Sequence, residues 1–294
     1  MPELLKQAGY ATFHFGKWHV GDARPEYKPL AKGYDRFVGF LAGYLGSYTN
    51  PWLLNNTRIV QYGGHLTDIL TDQAVDVIDN HAHDEPFLIN LWYYAPHLPL
   101  DPHPRWAEKY PDTDEGKYAA MVSTLDENVG RIMRAVESAG IKDNTSIVFT
   151  SDNGGADSTH PTGNGDLKGY KGELFQGGIK VPLFVKWPGR IPAGTFNHSL
   201  VTTVDFMPTL TDILGIDAPP TDGQSLTSAL FQGAHLDKKL LFWENVTQGT
   251  YTYAVRDGKW KLVRHRYEDY LYDIVDDPNE TTDLAAVNAG VVVS

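Results

Sequence analysis

Three short runs carry residue types that chemistry on an anion would need. Gly16-Lys17-Trp18-His19 sets a cation two positions from an imidazole, and Pro96-His97 holds a second imidazole. Ser151-Asp152-Asn153-Gly154-Gly155 offers a carboxylate beside an amide. A fourth run, Leu167-Lys168-Gly169-Tyr170-Lys171-Gly172, adds further cations. Lysines hold sulfate or phosphate oxygens as point charges. Imidazoles titrate near neutrality, so one can protonate a leaving alkoxide while another orients a nucleophile. The side-chain oxygens of Asp152 and Asn153 suit a hard divalent cation such as Ca²⁺, Mg²⁺ or Mn²⁺. Such a cation, with the lysines, would neutralise charge developing in a transition state. Each run has an ordinary reading as well: a strand end, a turn, a stiff proline loop. Their placement must decide.

The elements that position them follow from periodicity. Ala11–Phe15, Phe87–Trp92, Ser146–Thr150 and Val181–Trp187 read as strands, the last ended by Pro188-Gly189. Thr67–Asn80 reads as a helix with Ile69, Leu70, Ala74, Val77 and Ile78 on one face. Lys117–Ala139 reads as another, with Met121, Leu125, Val129, Met133 and Val136 recurring, and Val204–Leu214 as a third that stops at Gly215. This alternation predicts an α/β fold with a mainly parallel sheet between helices. Ligands of open α/β sheets bind beyond the carboxyl ends of the strands, so the polar runs are expected along one sheet edge, gathered into one pocket. Beyond about Gly233, Leu240–Trp243, Tyr251–Arg256 and Trp260–Arg264 alternate as strands around an Asp257-Gly258 turn. The expected organisation is an α/β core over 1–232 and a small antiparallel subdomain over 233–294. Tyr44, Tyr48 and Trp52 read either as loop packing or as the lining of a sugar or aryl pocket.

Composition narrows the classes. The 294 residues are 41% hydrophobic, enough for a sizeable core. A net charge of -12 argues against nucleic acid as a partner. No cysteine is present, which excludes disulfides, thiolate metal sites and a cysteine nucleophile in this chain. No apolar run reaches the length of a membrane span, so no membrane partner is expected. The first ten residues lack the basic and apolar stretches of a signal peptide. The expectation is therefore a cytoplasmic chain as it stands, periplasmic or secreted given a longer precursor.

The residues resemble the sulfatase family, nearest its arylsulfatases. Gly9-Tyr-Ala-Thr through Gly16-Lys-Trp-His-x-Gly21 resembles its Gly-Lys-Trp-His segment, and Pro96-His97-x-Pro99 its Ala-Pro-His-x-Pro segment. Thr150-Ser-Asp-Asn-Gly-Gly resembles its metal-binding strand end, and Leu167-Lys-Gly-Tyr-Lys-Gly through Gln176-Gly-Gly-Ile-Lys-Val-Pro its Lys-Gly loop. Asp205-Phe-Met-Pro-Thr-Leu and Leu271-Tyr-Asp-Ile resemble later segments. The resemblance implies the fold of the alkaline phosphatase superfamily and hydrolysis of small-molecule or sugar sulfate esters. By it, Lys17 and Lys171 bind sulfate oxygens, His19 assists at the nucleophile, and His97 binds near the leaving group as acid. Asp152 and Asn153 ligate one divalent cation, usually calcium. Gln176 stands where the family often has Glu, and Lys180 where it often has Arg.

One departure is large. Family members carry a strand ending in paired aspartates and a Cys- or Ser-x-Pro-x-Arg segment whose first residue becomes formylglycine. The match here begins after both, and formylglycine cannot form in a chain without cysteine or that serine motif. The expectation is an N-terminally truncated family domain, with water on the cation as the candidate nucleophile. An unpaired sheet edge would favour association with a second copy. A non-catalytic anion-binding remnant and a phosphate-ester hydrolase of the same superfamily remain as alternatives.

Overall fold

A computed structural model describes residues 1–81, 85–156, 163–236, 240–247 and 250–292. In chain order its elements begin with α1 (Pro2–Gln7), β1 (Ala11–Lys17), β2 (Arg36–Phe40), β3 (Trp52–Asn55), β4 (Arg58–Gln61) and α2 (Leu66–Asn80). Then come β5 (Phe87–Trp92), α3 (Pro104–Ala107), α4 (Asp114–Ser138), β6 (Ile147–Thr150), α5 (Gln176–Ile179) and β7 (Leu183–Lys186). α6 (Phe206–Leu214), α7 (Thr227–Gln232) and the strands β8 (Leu240–Thr247), β9 (Thr250–Asp257), β10 (Trp260–His265) and β11 (Glu268–Asp273) follow. The chain divides into two compact units, Met1–Thr145 with Met207–Gln224, and Ser146–Phe206 with Ser225–Ser294.

In the first unit a five-stranded sheet has the order β4-β3-β2-β1-β5. Its centre is parallel: Phe15 stands opposite Val38 on one side and Leu91 on the other. β3 and β4 extend the β2 edge as an antiparallel ribbon. α2 lays Ile69, Leu70, Ala74 and Val77 onto Phe15, Val38 and Leu53, with Met121 of α4 in the same cluster. Each of these side chains larger than alanine contributes roughly 1.5–3 kcal/mol on burial, and that apolar face packs against β1 and β5. The His65 ring accepts from the Thr67 amide at the start of α2, and the Thr113 hydroxyl from Gly116 at the start of α4.

Three differences from the sequence-based expectations matter. β1 runs on through Gly16 and Lys17, so Lys17 closes the strand rather than following it. On α4, Met121 and Val136 are buried but Met133 is 36% exposed. The buried stripe runs instead through Ala120, Thr124, Asn128 and Ala135. Thr124 and Asn128 are tolerated there because each donates to a carbonyl one turn back and Asn128 also reaches Asp68 at 2.7 Å. Finally, β6 does not join the five-stranded sheet among the described residues; it pairs antiparallel with β7. Periodicity identifies a strand but not its partner, which is a non-local choice. The single sheet edge expected to carry all three polar runs is therefore met by β1 and β5 alone.

The second unit carries the C-terminal antiparallel sheet, order β11-β10-β9-β8. Ala254, Val263 and Tyr272 from this sheet bury against Leu174 and Phe175. The molecule is thus α/β with a parallel sheet centre and a C-terminal antiparallel sheet. No helix among the described residues is long and apolar enough to cross a membrane.

Candidate functional site

In the first unit the site starts at the carboxyl ends of two adjacent parallel strands. Gly16 sits at φ 120°, and a Cβ there would overlap the Trp92 carbonyl oxygen. Only glycine lets β1 pass β5 this closely, and Lys17 is the next residue. Beneath it lies His14, fully buried among Trp18, Tyr34, Phe37 and Trp92. Its Nε2 donates to the Lys17 carbonyl at 3.2 Å. Nδ1 has no hydrogen-bond partner among the described residues. Burial pushes the imidazole pKa down to about 4, opposed by the bond to Lys17.

Lys17 Nζ lies 5.7 Å from the centre of the Tyr94 ring. That ring, just past β5, also stacks on His97 at 4.7 Å and on Tyr48 at 5.1 Å. The Tyr94 hydroxyl donates to the Leu98 carbonyl and accepts from Leu45 N. Burial holds its pKa above the ordinary tyrosine value. His97 Nδ1 donates to the Leu98 carbonyl at 2.8 Å. A carbonyl can only accept, so the Nδ1 proton is held in that bond. The Tyr48 hydroxyl donates to the His97 carbonyl at 2.8 Å. Lys17 and His97 thus share one aromatic support.

His19 is exposed, with a left-handed φ of 49° and its amide bonded to Leu41 O at 3.0 Å. Its ring lies against Gly43. The next residue, Tyr44, is 57% exposed and meets the His97 ring edge-on at 6.4 Å. The two histidines therefore border adjacent residues of one loop. Of the three aromatic candidates, Tyr48 is core and bonds the His97 carbonyl, Trp52 is exposed on β3, and Tyr44 is an exposed ring that meets the His97 ring.

The second unit holds the other three candidates. Asp152 and Asn153 occupy the turn after β6, and Lys171 lies on the loop before α5. The two segments are tied together: Lys171 N donates to Gly155 O at 2.7 Å, and Gly155 N to Asn164 Oδ1 at 2.8 Å. Gly154 N donates to Gly178 O at 3.0 Å. The Asn153 amide nitrogen is taken by Gly154 O, which leaves its Oδ1 as an acceptor. Asp152 is exposed, with no hydrogen bond or ion pair among the described residues. These oxygens fit a hard cation in kind. No group of three or more His, Cys, Asp or Glu among the described residues forms a fuller cage.

The Lys loop is anchored from behind. Lys168, a cation candidate in the sequence, is enclosed by Phe175, Tyr270 and Tyr272 with ring centres 4.6–5.3 Å from Nζ, and donates to the Tyr272 hydroxyl at 2.8 Å. It is a structural pin, whereas Lys171 is exposed. The Gln176 amide, which opens α5, donates to Glu280 Oε2 at 2.6 Å, and Glu280 Oε1 pairs with buried Lys261 at 2.7 Å. Lys180 is exposed. Sequence reasoning missed His14, Tyr94 and Glu280. The Tyr-Tyr-Ala-Pro-His run was a signal for Tyr94, since it directly follows a strand; Glu280 lies 104 residues from its partner, and nothing local announces it.

Comparison with known proteins completes the picture. The family model described as Sulfatase matches residues 1–216, and that for the C-terminal part of N-sulphoglucosamine sulphohydrolase matches 170–290. The uncharacterized sulfatase YdeN of Escherichia coli (strain K12) is 34% identical over 97% of this chain and 56% of its own length. N-acetylgalactosamine-6-sulfatase of Homo sapiens is 30% identical over 84% of this chain and 51% of its own. The crystal structure of Ps i-CgsB in complex with k-i-k-neocarrahexaose matches with a TM-score of 0.92 at 28% identity, covering 99% of this chain and 70% of that one. The chain spans about half the length of the curated relatives it matches.

Proposed function

Because the chain belongs to the sulfatase family, we propose that it supplies oxyanion-binding and proton-transfer residues of a metal-assisted sulfate-ester hydrolase acting on sulfated sugars. The observation that carries this reading is the shared support of Lys17 and His97 by Tyr94 at the ends of β1 and β5. Lys17 holds sulfate oxygens by charge, the role that the family resemblance also gives to Lys171. His97, protonated, gives its Nε2 proton to the ester oxygen as water bonds to sulfur and the ester S–O bond breaks, so that the sugar leaves as an alcohol and the sulfuryl group as sulfate. The Nδ1 bond to Leu98 keeps the ring oriented through that transfer. His19 assists on the nucleophile. None of these residues is itself the nucleophile.

Asp152 and Asn153 would hold a divalent cation, calcium by family resemblance, as part of a shell of about six to eight oxygens. When bound, the cation supplies charge neutralisation at the oxyanion. Sugar as the ester's alcohol is supported by the relatives' own names and by the exposed Tyr44 ring beside His97, a surface on which a sugar can stack. The test is turnover of p-nitrophenyl sulfate against p-nitrophenyl phosphate, with and without Ca²⁺, Mg²⁺ or Mn²⁺. The proposal expects preference for the sulfate and dependence on the cation; preference for the phosphate would transfer the chain to phosphate-ester chemistry.

A further inference from the structure

Gly43 lies in a bend but is not left-handed: its φ falls outside the positive range that glycine alone tolerates. Its backbone therefore accepts an alanine. What forbids a side chain is the His19 ring. A Cβ at position 43 would overlap His19 Cε1 and Nε2 and stand 2.9 Å from Cδ2. No other residue is among the nearest atoms such a Cβ would meet. The imidazole thus occupies the space that every other amino acid at position 43 would fill.

The backbone makes this contact specific. The Trp18 amide donates to Phe40 O at 2.9 Å and the His19 amide to Leu41 O at 3.0 Å, so residues 18–19 track residues 40–41. His19 then turns through its left-handed φ of 49°. With the main chain pinned and turned, the ring's remaining freedom is its own rotamers, and Gly43 forms the floor under one of them. We propose that Gly43 is a positioning residue, whose missing side chain sets where the His19 imidazole sits. The inference deepens the hydrolase reading, because it matters for catalysis only if His19 assists there. A methyl group at 43 would drive the ring aside by roughly 1 Å to recover normal carbon contact distances. A displacement of that size at a reacting group can cost about a hundredfold in rate.

The test uses Gly43→Ala alone and in a His19→Ala background. Histidine is isotopically labelled, and the His19 ring signal is identified by its loss in His19→Ala. Gly43→Ala is expected to shift that signal and leave those of the other histidines in place. Aryl sulfate turnover is expected to fall about a hundredfold in kcat with little change in KM. In the His19→Ala background the same substitution is expected to change neither turnover nor Tm, because the ring it would strike is gone. A variant that fails to fold with His19 present but folds without it supports the contact equally. An unmoved His19 signal, or an equal penalty in both backgrounds, overturns the inference. Full turnover by His19→Ala itself would instead remove the catalytic role assigned to His19, while the ring signal still decides what Gly43 does.

Discussion

His14 makes the sharpest quantitative prediction, because its environment opposes protonation from several sides. The neutral ring spends its one N–H on the Lys17 carbonyl and presents a bare Nδ1 to an aromatic enclosure. A second proton would place a charged donor where no described acceptor waits. The pKa accordingly falls from 6.5 to about 4. At about 1.4 kcal/mol per pH unit, the neutral ring's preference for the folded state is worth about 3 kcal/mol. The sign follows from proton counting. Between pH 6.5 and about 4 the unfolded chain binds a proton at this position and the folded chain does not. This contribution is therefore complete above pH 6.5 and is lost progressively as pH falls through that window. Urea unfolding at pH 7 and pH 4.5 measures it, with His14→Phe as the non-titrating control. The native chain is expected to lose about 2–3 kcal/mol more than the control over this interval. Equal losses in both proteins would refute the argument, since the other titrating groups are common to both.

Further expectations follow from the second unit. Lys261 and Glu280 are 1% and 0% exposed. Lys261→Met leaves a buried carboxylate uncompensated and is expected to cost about 3–5 kcal/mol in urea unfolding. Lys261→Met with Glu280→Gln, which keeps an acceptor for the Gln176 amide, is expected to cost less than that single change. Asn164→Ala removes the bonds to Gly155 N and Gly169 O. It is expected to cost about 1–2 kcal/mol and, by loosening the Asp152 turn, to weaken Ca²⁺ binding in calorimetry. Lys168→Met keeps an apolar stem but loses the charge in the aromatic enclosure, and is expected to lower stability by about 1–2 kcal/mol while leaving sulfate affinity within severalfold. A large affinity loss would mean that Lys168 touches the anion.

How much of this was legible in the sequence differs by residue. β5 is found with the bounds periodicity gives it, because Phe87–Trp92 is an apolar run broken only by Asn90, with clear ends. α2 is found within one residue, since its buried face keeps a regular spacing. α4 starts three residues before the expected Lys117 and ends one before Ala139, and its face differs: hydrophobicity pointed to Met133, whereas Thr124 and Asn128, bonded to carbonyls one turn back and to Asp68, lie in the buried stripe. β2, β3 and β4 went unread because they are short and their pairing is set across the fold. Motif likeness named Lys17, His19, His97 and Lys171, but not what holds them. Of those supports, Tyr94 was signalled by its place just past β5, whereas Gly43 and Glu280 act through packing and a distant hydrogen bond that leave no local pattern.

The account stands on the proposal that Lys17, at the end of β1, binds a sulfate group, the role that the family resemblance also gives to Lys171. Calorimetric titration with inorganic sulfate, in the presence of Ca²⁺, tests it without requiring turnover. The native chain is expected to bind sulfate more tightly than chloride, and Lys17→Ala and Lys171→Ala are each expected to weaken that binding about tenfold or more, the loss of one charge-assisted contact. Undiminished sulfate affinity in both variants would contradict it.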